Sequence, residues 1–370
     1  MTNDAKHDPP FRAEHIGSLL RPPELIQGHR DFTSGKISAD EFHVVQDQCI
    51  RDAVRMQEEA GLQSITDGEF RRASYFNHFI KALDGMVEKH SLFTFSDSSG
   101  KRFEWGAPHV SGKLRRRSGI STGDFLFLKG VTKQTPKVTM PSPSTMHFFR
   151  GRQGVDPAAY PDEEEFFEDL VGIYRDELAD LARLGSRYVQ IDEVPLAMLC
   201  DPNVRTSVTD RGENPGQLEE KYFTLINAIL KDRPAGLTVG LHLCRGNYKA
   251  KWLASGGYDA IADRLFNSVD VDAYFLEYDT PRAGDFAPLK YLPSNKVVVL
   301  GIMSSKRPEL ESSDALKKRV DDASRFVPLE RLAISPQCGF ATSVGSVPMT
   351  KEDQIKKLVR LVTTAREIWG

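Results

Sequence analysis

The sequence predicts an α/β fold, a (β/α)8 TIM barrel with a β-rich insertion after the second strand. Three observations predict it. Short apolar runs alternate with longer amphipathic segments along the 370 residues, and strand–helix alternation means a parallel sheet. There are eight such runs, which favours a closed barrel over an open sheet. No G-x-G-x-x-G follows any of them, which sets aside a dinucleotide-binding sheet.

The candidate strands are AEHIGS (13–18), QSITDGE (63–69), KVTMPSP (137–143), YVQIDEVP (188–195), TVGLHLC (238–244), AYFLEYD (273–279), KVVVLGIMS (296–304) and LAISPQCG (332–339). Helical spacing marks the segments between them. Residues 39–61 carry an apolar stripe that ends at a glycine, a favoured C-terminal cap. In 162–185, Phe166, Leu170, Tyr174, Leu178 and Leu181 recur every three or four positions, and acids crowd the first turn. Similar patterns cover 217–232, 257–268, 313–326 and 350–369. Residues 85–136 break the rhythm. Their aromatic and β-branched alternation with turn residues reads as antiparallel strands, an excursion within a single domain of residues 1–370.

Composition narrows the function. A formal net charge of −3 argues against a dedicated nucleic-acid binder. The one dense basic run, KLRRRSG at 113–119, reads as a solvated loop or strand edge. No apolar stretch is long enough to span a membrane, and the polar N-terminus lacks the apolar core of a signal peptide. Four scattered cysteines do not form a disulfide framework, so a reducing, cytoplasmic setting is expected.

Barrel enzymes carry their chemistry at the C-terminal ends of the strands. The polar residues there are Ser18, Asp67, Glu69, Asp192, Glu193, His242, Cys244, Glu277, Asp279, Ser304, Ser305 and Cys338. Residues i and i+2 of a strand share a face, so His242 and Cys244 point together. With Glu277 and Cys338 they make a four-ligand zinc set. Two thiolates favour zinc over magnesium or calcium. An H-x-C pair alone also fits a buried thiol beside a hydrogen-bonded histidine. Glu69 and Asp192 fit ion pairs with nearby arginines as well as a ligand site.

The motifs AEHIGSLLRP, TDGEF, QIDEVPL, HLCRGN, FLEYD and SPQCGF resemble, in order, those of the catalytic domain of cobalamin-independent methionine synthase. The likeness runs from about residue 12 to 345 and suggests a short relative without the duplicated N-terminal half. It implies a (β/α)8 barrel, with zinc held by His242, Cys244, Glu277 and Cys338 and homocysteine as the thiol that meets it. By the same resemblance, Gly17 and Ser18 serve the amino-acid end of that substrate, and Glu69 and Asp192 hold its ammonium group. The expected donor is 5-methyltetrahydrofolate, its polyglutamate, or another methyl carrier such as a methylcorrinoid.

Two family features are missing. A histidine in a D-I-H-S-P-R motif serves as proton shuttle in the family. Here the stretch reads GIMSSKRPEL, with Ser304 or Ser305 near that place. The tryptophan that stacks on the folate pterin is also absent, and PSPSTMHFF stands there instead. His15 and His147 are the candidate replacement acids, each with a structural hydrogen bond as the alternative. Other readings are alkyl transfer to coenzyme M, a non-catalytic zinc-binding protein, and a metal-free barrel resembling the uroporphyrinogen decarboxylases.

Overall fold

Six parallel strands form the central sheet, and their order across it follows their order in the chain. They are Val138–Pro141, Tyr188–Asp192, Thr238–Leu243, Ala273–Glu277, Val297–Met303 and Leu332–Pro336. Each pairs in parallel with the next. Nearly every residue in them is buried, as expected where both faces of a parallel sheet are covered. The computed structural model describes residues 9–96, 102–247, 251–342 and 348–370.

Helices return the chain between strands. Glu163–Arg183 starts where the Asp162 side chain accepts from the Glu164 amide at 3.0 Å. It buries Phe166, Leu170, Tyr174, Leu178 and Leu181, each contributing about 2 kcal/mol. It ends before Gly185, whose φ of +95° suits a residue without a Cβ. Ala39–Glu59, Pro215–Leu230, Ala262–Ser268, Ser313–Ser324 and Lys351–Trp369 fill the other predicted helical segments. Among the described residues no helix is long and apolar enough to cross a membrane.

The first two predicted strands are much reduced. Ser64–Ile65 pairs in parallel with Thr135–Pro136, just ahead of Val138–Pro141. Residues 13–18 touch the far edge of the sheet through one bridge, Ala13 to Ile334. Among the described residues no ladder joins these two pieces, so the hydrogen-bonded sheet is a six-stranded one with short flanking pairs. Side chains take over the join. The Glu14 carboxylate, fully buried, accepts from Ser64 Oγ at 2.7 Å, Tyr188 OH at 2.9 Å and Lys137 Nζ at 3.1 Å. Lys137 also donates to Gln190 Oε1 at 3.2 Å and to the His15 carbonyl. Gln190 Nε2 donates to the Ile16 carbonyl at 2.6 Å. Thr66 Oγ1 reaches the Gly17 carbonyl at 2.7 Å, and the Leu19 amide reaches the Gly68 carbonyl at 3.1 Å.

The insertion differs from its expected form. Leu83–His90 and Gly106–Arg116 make an antiparallel hairpin with a short pair, Phe95–Ser96 and Arg102–Phe103, beyond it. The following FLFL run, read as strand, lies in a helix, Thr122–Val131. Phe125 and Leu128 are its buried residues, three apart, and a short apolar run fits either period. The basic run lies partly on the hairpin, where acids meet it. Lys113 pairs with Glu165 at 2.6 Å, Arg115 with Asp84 at 2.9 Å, and Arg116 with Glu177 at 2.6 Å.

Candidate metal centre

A cavity of about 270 Å³ lies at the C-terminal ends of the strands, and Ser18, Glu69, Asp192, His242, Cys244 and Cys338 all line it. The sheet register explains part of this. Asp192 and His242 are paired neighbours on adjacent strands. Cys244 lies one residue past Thr238–Leu243, and Cys338 two past Leu332–Pro336.

The ligand atoms of His242, Cys244 and Cys338 lie within 4.8 Å of one another. All three residues are buried. The two sulfurs are 3.7 Å apart. Two thiolates on tetrahedral zinc at 2.3 Å would be about 3.8 Å apart. Neither ring nitrogen of His242 has a hydrogen bond of ordinary geometry, although Cys244 is close enough to act on it; that is an expensive state for a buried imidazole that a bound cation relieves. Two soft sulfurs, one imidazole and this spacing therefore fit zinc.

The local charges agree. The hydrogen bond from Cys338 holds the Cys244 thiol well below its ordinary range, with His242 adding to the effect against burial. The same bond pushes Cys338 up, and burial adds to it. Burial works against a charged His242, but Cys244, Asp192 and Glu277 together raise its pKa.

Glu277, the fourth expected ligand, lies outside the group of atoms within 4.8 Å of one another but is near enough to act on the charges of His242, Cys244 and Cys338. Its carboxylate accepts from the Arg245 amide at 2.7 Å, from Arg282, and from Lys306 at 3.4 Å. Burial alone would raise its pKa, but Lys306, Arg282 and Arg245 bring it down to about 2. Arg245 is likewise committed. It donates to the carbonyls of Gly256, Glu277 and Ala283 and stacks over Tyr258, its Cζ 4.2 Å from the ring centre.

The two cavity carboxylates are prepared differently. Glu69 sits at φ +60°, which costs a non-glycine residue about 1–3 kcal/mol. Its amide donates to Asp67 Oδ1 at 2.9 Å, and its carboxylate accepts from Thr139 Oγ1 at 2.9 Å. Burial raises its pKa, although Arg72, 3.9 Å away, opposes that. Asp192 accepts from Gln190 Nε2 at 2.7 Å. Burial pushes its pKa up to about 7, with Glu69 and Cys244 adding to the rise and His242 opposing it. Gly17 does not line the cavity but supports it. A Cβ there would stand 2.6 Å from Thr139 Cγ2 and 3.0 Å from Glu69 Oε1, at a φ of +144°.

Several expected proton donors lie elsewhere. His15 is buried beside Lys137, its Nε2 3.2 Å from the Ser64 carbonyl, and does not line the cavity. Burial and Lys137 hold its pKa well below the usual range. His147 is bonded to Tyr222 OH at 2.9 Å and to Glu163 at 3.2 Å. Ser305 Oγ donates to the Gly339 carbonyl at 3.0 Å. Ser304 lines a neighbouring cleft with Asp279, Arg282 and Lys306. Asn247 donates to the Gly339 carbonyl at 3.0 Å from the cavity wall.

The sequence reading missed the other wall of the cavity, formed by Tyr75, Phe76, Trp105 and Phe149. Trp105 comes from the insertion, and its ring meets Phe149 edge to face at 4.4 Å. Only an aromatic-rich stretch ahead of Gly106 hinted at it.

The chain matches the model of the cobalamin-independent synthase catalytic domain over residues 11–366. It is 35% identical over 370 residues to the uncharacterized protein YxjH of Bacillus subtilis (strain 168), covering 97% of this chain and 95% of YxjH. It is 28% identical over 361 residues to the methionine synthase of Pyrococcus horikoshii, covering 96% and 94%. A solved structure of a vitamin-B12-independent methionine synthase candidate from Listeria monocytogenes is similar to it. The TM-score is 0.78 at 34% identity, over 98% of this chain and 99% of that one. A match along nearly the whole chain, with the motif residues gathered in one cavity, shows that the protein belongs to the cobalamin-independent methionine synthase catalytic-domain family of methyltransferases.

Proposed function

We propose that the protein is a zinc-dependent S-methyltransferase that methylates homocysteine to methionine, with 5-methyltetrahydrofolate, its polyglutamate or another methyl carrier as donor. The observation that carries this reading is one cavity holding both a His242–Cys244–Cys338 group and the buried carboxylates Glu69 and Asp192. Zinc held by His242, Cys244 and Cys338, with Glu277 as the fourth expected ligand, would supply the positive charge that removes a thiol proton at neutral pH. Two thiolate ligands leave little net charge on such a centre, which keeps an acceptor sulfur nucleophilic.

The protein does the rest by positioning. Glu69 and Asp192 take the ammonium group of the acceptor, which directs its sulfur toward the two cysteines. Tyr75, Phe76, Trp105 and Phe149 give the donor an apolar wall. In-line transfer of a methyl group needs little beyond this alignment. An acceptor with a sulfonate and no ammonium, such as coenzyme M, would leave both carboxylates unpaired. We also read the fold as a (β/α)8 barrel closed through residues 13–18 by the Glu14–Lys137 network, and its setting as the reducing cytoplasm, in keeping with four free cysteines.

The test is methyl transfer to homocysteine and to a thiol of the same length without the amino group. Glu69→Gln and Asp192→Asn are each expected to raise KM for homocysteine about 30-fold or more, because each removes one partner of a buried charge pair. They should leave the deaminated thiol nearly unaffected. Equal KM for the two thiols in the unmodified protein would refute the acceptor assignment.

A further inference from the structure

The cavity holds one hydroxyl that the methyl-transfer reading leaves without a task. Tyr75 lines it together with Cys244, Asp192 and Trp105. Its ring packs edge to face on Phe76, with centroids 5.1 Å apart. The hydroxyl oxygen is buried and makes no hydrogen bond of ordinary geometry, although Thr145 is close enough to influence it. Buried hydroxyls are nearly always bonded, so an unbonded one facing a cavity marks a place where a ligand completes the set. Tyr75 is also close enough to Cys244 and Asp192 to feel their charges, which puts it near the site of methyl transfer.

Glu69 and Asp192 are taken up by the acceptor's ammonium group in the proposed reaction, and the other candidates are placed elsewhere. His15 and His147 lie outside the cavity, Ser305 is bonded to a carbonyl, and Ser304 belongs to another cleft. We propose that Tyr75 donates the proton that the methyl donor's leaving nitrogen takes up. This rests on the methyl-transfer reading with a methylated tetrahydrofolate as donor. In the step, the acceptor sulfur's electron pair forms the S–CH3 bond, and the C–N electron pair passes to nitrogen. That nitrogen takes the phenolic proton. The phenolate then recovers a proton from water, balancing the one released when the thiol bound.

The test compares the zinc-loaded protein with Tyr75→Phe, using homocysteine and two donors. One is 5-methyltetrahydrofolate. The other is methyl iodide, whose leaving iodide takes no proton. With the folate, kcat should fall about 100-fold or more, the usual contribution of a positioned acid, with KM little changed. Alkylation by methyl iodide and the thermal midpoint should stay as in the unmodified protein. Unchanged folate turnover, or equal slowing with both donors, would overturn the assignment and leave the function standing. No folate turnover in the unmodified protein, with methyl iodide alkylation intact, would overturn the folate donor and this assignment together.

Discussion

Cys338→Ser is expected to strip the protein of zinc and of methyl transfer together. The side chain is buried, and its sulfur is 3.7 Å from that of Cys244. A serine hydroxyl is a poor substitute, since it is not ionised at neutral pH and is a harder donor. Changing residues that merely orient metal ligands costs about 10–100-fold in affinity, so loss of a ligand should cost about 100-fold or more. Cys244→Ser should behave alike. Cys49→Ser and Cys200→Ser are the controls. Cys49 is buried in the helix Ala39–Glu59, and Cys200 Sγ is 3.6 Å from the Leu196 carbonyl. Metal analysis after dialysis, with the turnover assay beside it, reads all four. Full zinc retention in Cys338→Ser would remove this residue from the metal site.

Lys137→Met is expected to cost about 3–5 kcal/mol of stability, the usual result of leaving one member of a buried ion pair alone. Lys137 and Glu14 are both almost wholly buried, 3.1 Å apart. Burial lowers the Lys137 pKa while Glu14 works to restore it. The pair sits where the backbone ladder lapses, so its loss loosens the segment that carries Gly17 and Ser18. Adding Glu14→Gln to Lys137→Met should recover part of the loss, because the stranded charge is gone. Urea unfolding of both single variants and the double variant gives the coupling energy. A cost below about 1 kcal/mol for Lys137→Met would show that the network is not what holds this segment.

Much of the fold was legible because buried parallel strands have a distinct composition. YVQID, TVGLHL, AYFLE and VVVLGIM are mostly apolar, and the structure makes each a strand. The first two runs were harder to read. TDGE contains Gly68 and Glu69, both at positive φ, which ends a strand almost as it begins. Nothing in the local sequence says that side chains would replace a ladder there.

The site divides in the same way. His242 and Cys244 followed from strand alternation, and Cys338 from its place after the last strand. Glu277 sits at a strand end as expected, and Arg282, Lys306 and the Arg245 amide meet its carboxylate. Those partners come from different loops, and sequence spacing does not reveal which loop folds over which strand. His15 lies outside the cavity lining, in a segment that Glu14 and Lys137 anchor inside the fold. Tyr75 and Trp105 escaped notice because aromatic residues in loops look alike until a cavity assembles around them.

The central claim is that His242, Cys244 and Cys338 hold a zinc ion that receives the acceptor's thiol. Zinc-edge X-ray absorption on the purified protein, with and without homocysteine, tests it most directly. The expected result is two sulfurs at about 2.3 Å, the ordinary zinc–thiolate distance, with a third sulfur appearing when homocysteine is added. A shell unchanged by homocysteine, or no zinc retained after reloading with the metal, would contradict it.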